Sequence, residues 1–356
     1  MDFTFAEDQV LLADTVRRFL VNEVSPELIR ELWNRPGGRS QDLWMQLAQQ
    51  GLTGLSVPAE HGGMGMSDVD WVLLARECGY HGLPAPLLES SWVAAGLLAQ
   101  LPQGDVRDHA LAGIADGSLR VAMGHAHSPL VADADQANLV LLERDGRLFA
   151  VPSSRIAMTA QPSIDPSRRL FTVQWDSEPQ YCIVEQAHGL MEQAFQRGAL
   201  AAAAQLLGLA QRMLDLAIDY ADQRKQFGKP IGVNQAIKHH LADVAVKLEF
   251  ARPVVFRAAH ALAHSTPDSA AQCAVHVSHA KVAASEAALL AARNAMQVHG
   301  AMGYTWEMDL QIFMKMAWAL DAAWGERTLH LARVRAHVLA RDAALGPGST
   351  FGEEQP

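Results

Sequence analysis

Helical periodicity between residues 190 and 342 constrains the fold more than any other feature of this chain. Apolar side chains recur there at intervals of four, three and four residues, as in Ile237, Leu241, Val244 and Leu248. This spacing lines one face of a helix, and abundant alanine with few β-branched residues also favours helix. Four long helices are predicted, at roughly 192–223, 234–264, 268–298 and 308–341. Residues 189–345 are therefore expected to form a four-helix bundle.

Residues 1–118 are predicted to form a second helical region, an N-terminal α-helical domain. Its first helix is suggested by an apolar stripe of Val10, Leu11, Phe19 and Leu20. A loop rich in glycine and proline, "GLTGLSVPAEHGGMGMSD", follows, and Ser67 or Asp68 is well placed to cap the helix after it.

Residues 119–188 change character and are predicted to form a small, reduced middle β domain. The runs at 119–125, 137–153 and 168–176 are short and apolar, as expected of strands. Asp145-Gly146 lies between two of these runs and predicts a β-hairpin. The tail 346–356 is expected to be flexible. The predicted fold class is therefore mainly α, with a β domain between two helical regions.

Composition and charge exclude several functions. The net charge of -10 argues against nucleic acid as a partner, because phosphates would be repelled. No stretch approaches eighteen uninterrupted apolar residues, so membrane insertion is not expected. The start "MDFTFAEDQV" lacks the features of a signal peptide, and the three cysteines form no framework. These features predict a cytoplasmic protein.

Common catalytic and metal-binding motifs find no match. The stretch "HGGMGM" fails the GxGxxG pattern because Asp68 stands at the final glycine position. His276 and His279 have a spacing that a metal could use, but no carboxylate stands in register with them. No metal site is therefore predicted.

Two glycine-containing interruptions of the long helices are the candidate ligand sites. The first is "RKQFGKPIGVNQ", in which Arg224 offers a guanidinium fork for a diphosphate and Phe227 a face for a ring. The second is "QVHGAMGYTWEMD", in which Gln297 and Gly300 allow a ligand to approach the backbone closely. On residue types alone each could instead be a helix–helix corner with a glycine C-cap.

These segments resemble the two C-terminal signatures of the acyl-CoA dehydrogenase family of flavoproteins. "MDFTFAEDQVLLADTVRRFL" and "GLTGLSVPAEHGGMGMS" likewise resemble the opening helix and the glycine-rich loop of that family, so that the resemblance covers nearly the whole chain in the right order. It implies a helical domain, a small β domain and a four-helix bundle, assembled as a homo- or heterotetramer that is a dimer of dimers.

The resemblance also implies an FAD site shared between subunits. In this family the arginine and phenylalanine of RxxFG and the glutamine and glycine of QxxGxxG reach the FAD of a neighbouring subunit. The residues carried over as FAD contacts are Arg224, Gln226, Phe227, Gln297 and Gly300, with Asn234 and Gln235 nearby.

The catalytic base of the family is the part that the sequence does not supply. The family removes a proton from the substrate Cα with a glutamate in an apolar slot, where desolvation raises its pKa. Of the two positions that this glutamate occupies in different relatives, one is Trp324 here and the other is Gly198. Glu326 is the nearest carboxylate to the first position and is a weak candidate, whereas Glu192 lies on a different helix face from the second. Glu326 could instead be a solvated helix-start acid paired with Arg327 or Arg333.

A second departure concerns the middle domain. The family's flavin-ring loop is missing from "VAMGHAHSPLVADAD", and "SIDPSRRL" resembles a divergent branch. That branch includes subunits of mixed α2β2 assemblies acting on bulky acyl-CoA thioesters such as steroid side chains.

Two functions therefore remain open. The first is an FAD-dependent acyl-CoA dehydrogenase that desaturates the Cα–Cβ bond and passes electrons to an electron-transfer flavoprotein. The second is a non-catalytic partner subunit that completes the FAD site of a catalytic subunit.

Overall fold

The computed structural model describes residues 4–340, and most of them are helical. The eleven α-helices of this part are α1 Glu7–Glu23, α2 Pro26–Asn34, α3 Gln41–Gln49, α4 Asp68–His81, α5 Ala95–Leu98, α6 Asp105–Ala115, α7 His188–Gln223, α8 Gln235–Ala263, α9 Ala270–His299, α10 Leu310–Ala322 and α11 Arg327–Val338. A π-helix, Leu88–Ala94, runs directly into α5. The fold is mainly α, as predicted, and the predicted tail 346–356 lies outside the described residues.

The N-terminal helices pack as expected, although part of the first predicted stripe is wrong. Val10 and Leu11 are 46% and 60% exposed, and the buried face of α1 is instead formed by Ala13, Val16 and Leu20. Leu20 satisfies both patterns, which is why a stripe shifted by a few residues still predicted a helix. The cap of α4 is confirmed, because the backbone N–H of Ser67 donates to Asp70 Oδ2 at 2.8 Å.

The middle region contains seven strands in two sheets. The strands are β1 Val121–Met123, β2 Leu130–Ala132, β3 Leu139–Arg144, β4 Arg147–Pro152, β5 Ala157–Gln161, β6 Leu170–Gln174 and β7 Cys182–Val184. One sheet has the order β1-β3-β4-β7 and the other β2-β6-β5. The predicted hairpin is confirmed: β3 pairs with β4 antiparallel, and Asp145 and Gly146 form its turn with φ of 53° and 74°. Strands β2, β5 and β7 were not predicted from the sequence.

The long helices of the C-terminal region match three of the four predicted spans closely. The fourth, 308–341, is wrong as a single helix, because the chain breaks between α10 and α11 at Ala323–Glu326. Trp324 and Gly325 both have positive φ, 55° and 93°, which no α-helix contains. This break is a buried turn, and it becomes part of the candidate site.

Helices α4 and α7 cross at very short range. A Cβ added to Gly208 would lie 1.9 Å from the carbonyl oxygen of Arg76, and one added to Gly79 would lie 2.1 Å from that of Gln205. Only glycine fits at these two positions. The N-terminal region and the bundle therefore share one buried core through α7. Among residues 4–340, no helix has the length and apolar character needed to cross a bilayer.

Candidate functional site

The first candidate segment folds as a miniature hairpin between α7 and α8. Its strands, β8 Lys225–Gln226 and β9 Lys229–Pro230, pair antiparallel, and the backbone N–H of Ile231 donates to the carbonyl of Arg224 at 2.8 Å. Arg224, Gln226, Asn234 and Gln235 are all exposed. The prediction of a turn between two helices is therefore confirmed, while the role of these side chains stays a prediction.

Phe227 combines a strained backbone with a fully exposed side chain. It sits at the first position of the two-residue turn with φ +51°, followed by Gly228 at +82°, and its side chain is 101% exposed. A non-glycine residue in this region of φ is strained by on the order of 1–3 kcal/mol. Because the ring is not buried against the chain, its packing does not offset this strain. The ring projects into solvent from the tip of the turn.

The second candidate segment is an open corner at the end of α9. Gln297 is exposed in the last turn of the helix, and Gly300 ends it with φ +58°. A Cβ built on Gly300 meets no atom within 4 Å, so a ligand could reach the backbone there. Both residues line a cleft of about 560 Å³ together with Arg293, Tyr304 and Trp318.

The two candidate segments are connected through one ring contact. The buried imidazole of His299 stacks on Tyr220, with centroids 4.3 Å apart and planes at 21°. Tyr220 lies one turn before Arg224, and its backbone carbonyl accepts a hydrogen bond from the backbone N–H of Arg224 at 2.8 Å. The structure thus brings Gln297 and Gly300 into one cleft. It places Arg224, Gln226 and Phe227 on the neighbouring hairpin, outside that cleft.

The position expected for the family's base is filled by an indole ring. Trp324 is 6% exposed, and its ring stacks on His125 with centroids 4.7 Å apart and planes at 18°. Phe195 packs edge-on against the same indole at 6.5 Å. The ring forms part of the wall of a cavity of about 250 Å³ between the middle region and the bundle.

The two alternative base positions, 126 residues apart in sequence, touch each other. A Cβ added to Gly198 on α7 would lie 2.1 Å from Trp324 Cδ2 and 2.4 Å or less from two further ring atoms. The indole therefore rests directly on the backbone of α7 at Gly198. A side chain at 198 and the indole at 324 cannot occupy this space together.

Two buried basic residues hold the turn that carries Trp324. Lys281, which is fully buried, donates to the carbonyl of Asp321 at 2.7 Å, and burial lowers the pKa of this lysine to about 8. His330 lies 2.9 Å from the carbonyl oxygen of Trp324 through Nε2 and 3.0 Å from Ser278 Oγ through Nδ1. Burial lowers the pKa of His330 to about 4, so the ring is neutral, with Nε2 donating to the carbonyl and Nδ1 accepting from the hydroxyl.

Glu326, the weak candidate for the base, is the N-cap residue of α11 and is exposed at the edge of the 250 Å³ cavity. In the described part of the chain Glu326 forms no ion pair with Arg327 or Arg333, and Arg333 Nη1 pairs instead with Glu192 Oε1 at 2.9 Å. Glu192 is thereby engaged in an ion pair, and its six-residue offset from Gly198 places it on a different face of α7.

A carboxylate that the sequence analysis missed lies deeper in the same cavity. Glu89, in the π-helix, lines this cavity together with Arg168, whose Nη1 is 3.6 Å from Glu89 Oε1. Burial raises the pKa of Glu89 despite the nearby guanidinium. The signal available in the sequence was an acid inside the apolar run "PAPLLESSWVAAGLL".

Comparisons with known proteins identify the class of protein. The model of the acyl-CoA dehydrogenase N-terminal domain matches residues 6–118, and that of the acyl-CoA dehydrogenase C-terminal domain matches residues 188–339. The chain belongs to the acyl-CoA dehydrogenase family, whose members are FAD-dependent oxidoreductases.

Among individual relatives, the chain is similar to the acyl-CoA dehydrogenase IpdE2 of Mycobacterium tuberculosis, with 33% identity over 87% of this chain and 91% of the relative. It is 31% identical to IpdE2 of Mycolicibacterium smegmatis over 94% of this chain and 99% of the relative. Among solved structures it resembles a chain of the ChsE4-ChsE5 complex from Mycobacterium tuberculosis, with a TM-score of 0.85 and 23% identity over 96% of this chain and all of the other. That identity is low, so the last similarity supports the fold alone.

Proposed function

We propose that this chain is the non-catalytic subunit of a mixed, FAD-dependent acyl-CoA dehydrogenase, and that it completes the nucleotide end of a catalytic partner's FAD site. The observation that carries the proposal is the packing of Trp324 on Gly198. The family places its glutamate base at one or the other of these positions. Here the indole of Trp324 stands at the first and leaves no space for a side chain at the second. An indole cannot accept the Cα proton of an acyl-CoA thioester.

The exposed segments fit the nucleotide end of an FAD molecule. Arg224 offers a planar, charged donor for a diphosphate, and Phe227 an aromatic face that is solvent-exposed in the single chain. Gly300 leaves the backbone approachable beside Gln297. When bound, FAD supplies the acceptor for the hydride that leaves the substrate Cβ. In this proposal the residues of this chain bind and orient the nucleotide half, and the base comes from the partner.

On the side of the site that would face the flavin ring, three aromatic side chains pack together. His125 and Trp324 stack where the middle region meets the bundle, and Phe195 closes the cluster from α7. The middle region also lacks the family's flavin-ring loop. A chain of the ChsE4-ChsE5 complex shares the fold of this chain, so the fold is compatible with a mixed assembly. We propose a heterotetramer of the dimer-of-dimers type, a cytoplasmic location and electron transfer from the assembly to an electron-transfer flavoprotein.

A second candidate function is a self-sufficient acyl-CoA dehydrogenase. It is favoured by the two carboxylates that line the cavity beside Trp324, namely Glu326 at its edge and Glu89 in its wall. In that case one of them accepts the Cα proton while the hydride leaves from Cβ. Glu89 has the raised pKa that a base in an apolar slot needs, but Arg168 lies 3.6 Å from it.

One experiment separates the two functions. The chain is purified alone, its visible spectrum is recorded, and an acyl-CoA mixture is added without oxygen. We expect a colourless, folded protein that yields a yellow, substrate-reducible complex when a family member carrying the glutamate base is co-expressed. A yellow chain that bleaches by itself would overturn the proposal, and Glu326→Gln and Glu89→Gln would then identify the base.

The contribution of Arg224 is tested within the assembly. We expect Arg224→Ala to lower the FAD content of the complex while the helix content and the subunit stoichiometry stay the same. Lys225→Ala is the matched control, because it removes one positive charge from the same exposed hairpin. Equal FAD loss in both variants would show that net charge acts and that the guanidinium does not.

A further inference from the structure

A second, unrelated cleft opens between α1, α4, α7 and α8. Its volume is about 740 Å³, which lies in the range of ordinary small-molecule sites. Its lining residues on α7, from Gly208 to Asp215, stand roughly three to five turns beyond Gly198. The cleft therefore contains none of the predicted FAD contacts and none of the residues around Trp324.

Four arginines from four different helices converge on this cleft, in a chain whose net charge is -10. The carboxylates that line it are Glu77 and Asp215, and both are already engaged. Glu77 binds the guanidinium of Arg17 through two bonds of 3.1 Å and that of Arg76 at 2.8 Å. The carboxylate of Asp215 accepts hydrogen bonds from the hydroxyl of Tyr80 and from the side-chain amide of Gln211, each at 2.8 Å.

The remaining two arginines, Arg252 and Arg212, differ in whether a carboxylate pairs with them. Arg252 donates to Gln211 Oε1 at 2.6 Å and pairs with the exposed Glu249 at 2.9 Å. Arg212 forms no ion pair with a carboxylate in the described part of the chain. Its guanidinium lies over the rings of Tyr80 and Phe313, each at 5.3 Å, and its Nε is buried without a hydrogen-bond partner.

The cleft contains two further buried nitrogens that lack a partner, Nε of Arg252 and Nε2 of His81. Nε2 of His81 is buried without a hydrogen bond, and the ring packs edge-on against Tyr80 at 5.1 Å. Burial lowers the pKa of His81, and Arg212 and Arg17 act in the same direction while Glu77 opposes them. A guanidinium that no carboxylate of the described residues neutralises and an imidazole nitrogen without a partner form an arrangement that an anion would complete.

We propose that this cleft binds a small anionic ligand, whose phosphate or carboxylate group pairs with Arg212 and accepts a hydrogen bond from His81. The ring of Tyr80 forms the adjoining wall. Arg17, Arg76 and Arg252 supply further positive potential, while the opposing carboxylates Asp14 and Glu249 lie at the rim, 49% and 62% exposed, where water screens them. The site is independent of the proposed role of the chain in FAD binding.

The test is calorimetric titration of the full chain with inorganic pyrophosphate and, separately, with succinate, at constant ionic strength in chloride. We expect one of them to bind, and Arg212→Met to weaken that binding by about tenfold or more, since a charge-assisted hydrogen bond is lost. Tighter pyrophosphate identifies a phosphate-bearing ligand, and tighter succinate a carboxylate. Binding should also raise the pKa of His81, measured by NMR of its ring protons.

Two matched variants keep the result interpretable. Arg18→Met removes the same charge from the exposed side of α1 outside the cleft and should leave the affinity unchanged. Arg224→Met should also leave it unchanged, because it lies in the hairpin assigned to FAD. The proposal is overturned if neither anion binds at millimolar concentration, if Arg18→Met and Arg212→Met weaken binding equally, or if only Arg224→Met abolishes it.

Discussion

The exposed hairpin at Phe227 and the buried turn at Trp324 make opposite use of the same backbone irregularity. Each places an aromatic residue at positive φ, 51° and 55°, directly before a glycine. At the hairpin the ring projects fully into solvent, whereas at the turn the indole is 6% exposed and fills the space beside Gly198. The strain at Trp324 is offset by packing within the chain, while that at Phe227 is not. This difference suggests that the hairpin is shaped for a partner or ligand and the turn for the stability of the chain itself.

The largest effect is expected from removing the indole. Trp324→Ala should lower the free energy of unfolding by about 3–5 kcal/mol, because a large buried ring is lost and a cavity remains. Urea denaturation at constant m-value measures this. A loss below about 1 kcal/mol would mean that the turn is not held by its own packing, and the comparison with Phe227 would fail.

The pH dependence of stability should reveal how the buried turn is held. The folded-state pKa of His330 is about 4 and its unfolded value about 6.5, so the unfolded chain binds the proton more readily. The stabilisation is therefore complete above pH 6.5 and is lost as the pH falls towards 4, by about 3 kcal/mol. Comparing wild type with His330→Gln from pH 7 to 4 isolates this contribution from other groups. Parallel curves for the two proteins would contradict it.

A smaller effect is expected at Gly198, and it should depend on Trp324. Gly198→Ala should cost about 1–3 kcal/mol, because the new methyl group overlaps the indole. In the Trp324→Ala background the same substitution should cost much less, since the overlapping ring is gone. Urea melts of the four proteins complete a double-mutant cycle. Additive costs would show that the two positions do not compete for space.

The smallest effect, of opposite sign, is expected at the hairpin. Phe227→Asn creates Asn-Gly, the pair that suits a two-residue turn with two positive φ values. It should stabilise the chain by up to about 1 kcal/mol while lowering the FAD content of the proposed mixed assembly. Thermal melting and the flavin absorbance of the purified complex measure the two effects. A loss of stability would show that Phe227 serves the fold after all.

The features that could be predicted from the sequence are those that a few residues close together in the chain determine. The stripe through Val244 and Leu248 marked a bundle helix, Asp145-Gly146 marked a hairpin, and the glycines at 228 and 300 marked the corners. The break at Trp324 was missed as a helix end because the alanine-rich flanks favour helix on both sides. Strand β5 was missed because most of its side chains are exposed, so no apolar alternation identifies it.

Other features depend on tertiary contacts and could not be predicted. Gly198 and Trp324 were each predicted to be positions without a base, but their contact joins α7 to a turn 126 residues later. The burial of Glu89 likewise depends on the middle region closing over the π-helix, and the cleft at Arg212 needs four helices in their final positions. The FAD contacts at Arg224, Gln226, Phe227, Asn234, Gln235, Gln297 and Gly300 remain predictions.

The contact between Gly198 and Trp324 also has a consequence for how such a chain can change over generations. A glutamate at 198 cannot be accommodated while the indole is present, and replacing the indole alone leaves a destabilised core. Recovering a base by single steps therefore passes through a less stable intermediate, whichever position changes first. The packing therefore opposes the recovery of a base by single substitutions, as expected if the chain has the partner-subunit role proposed above.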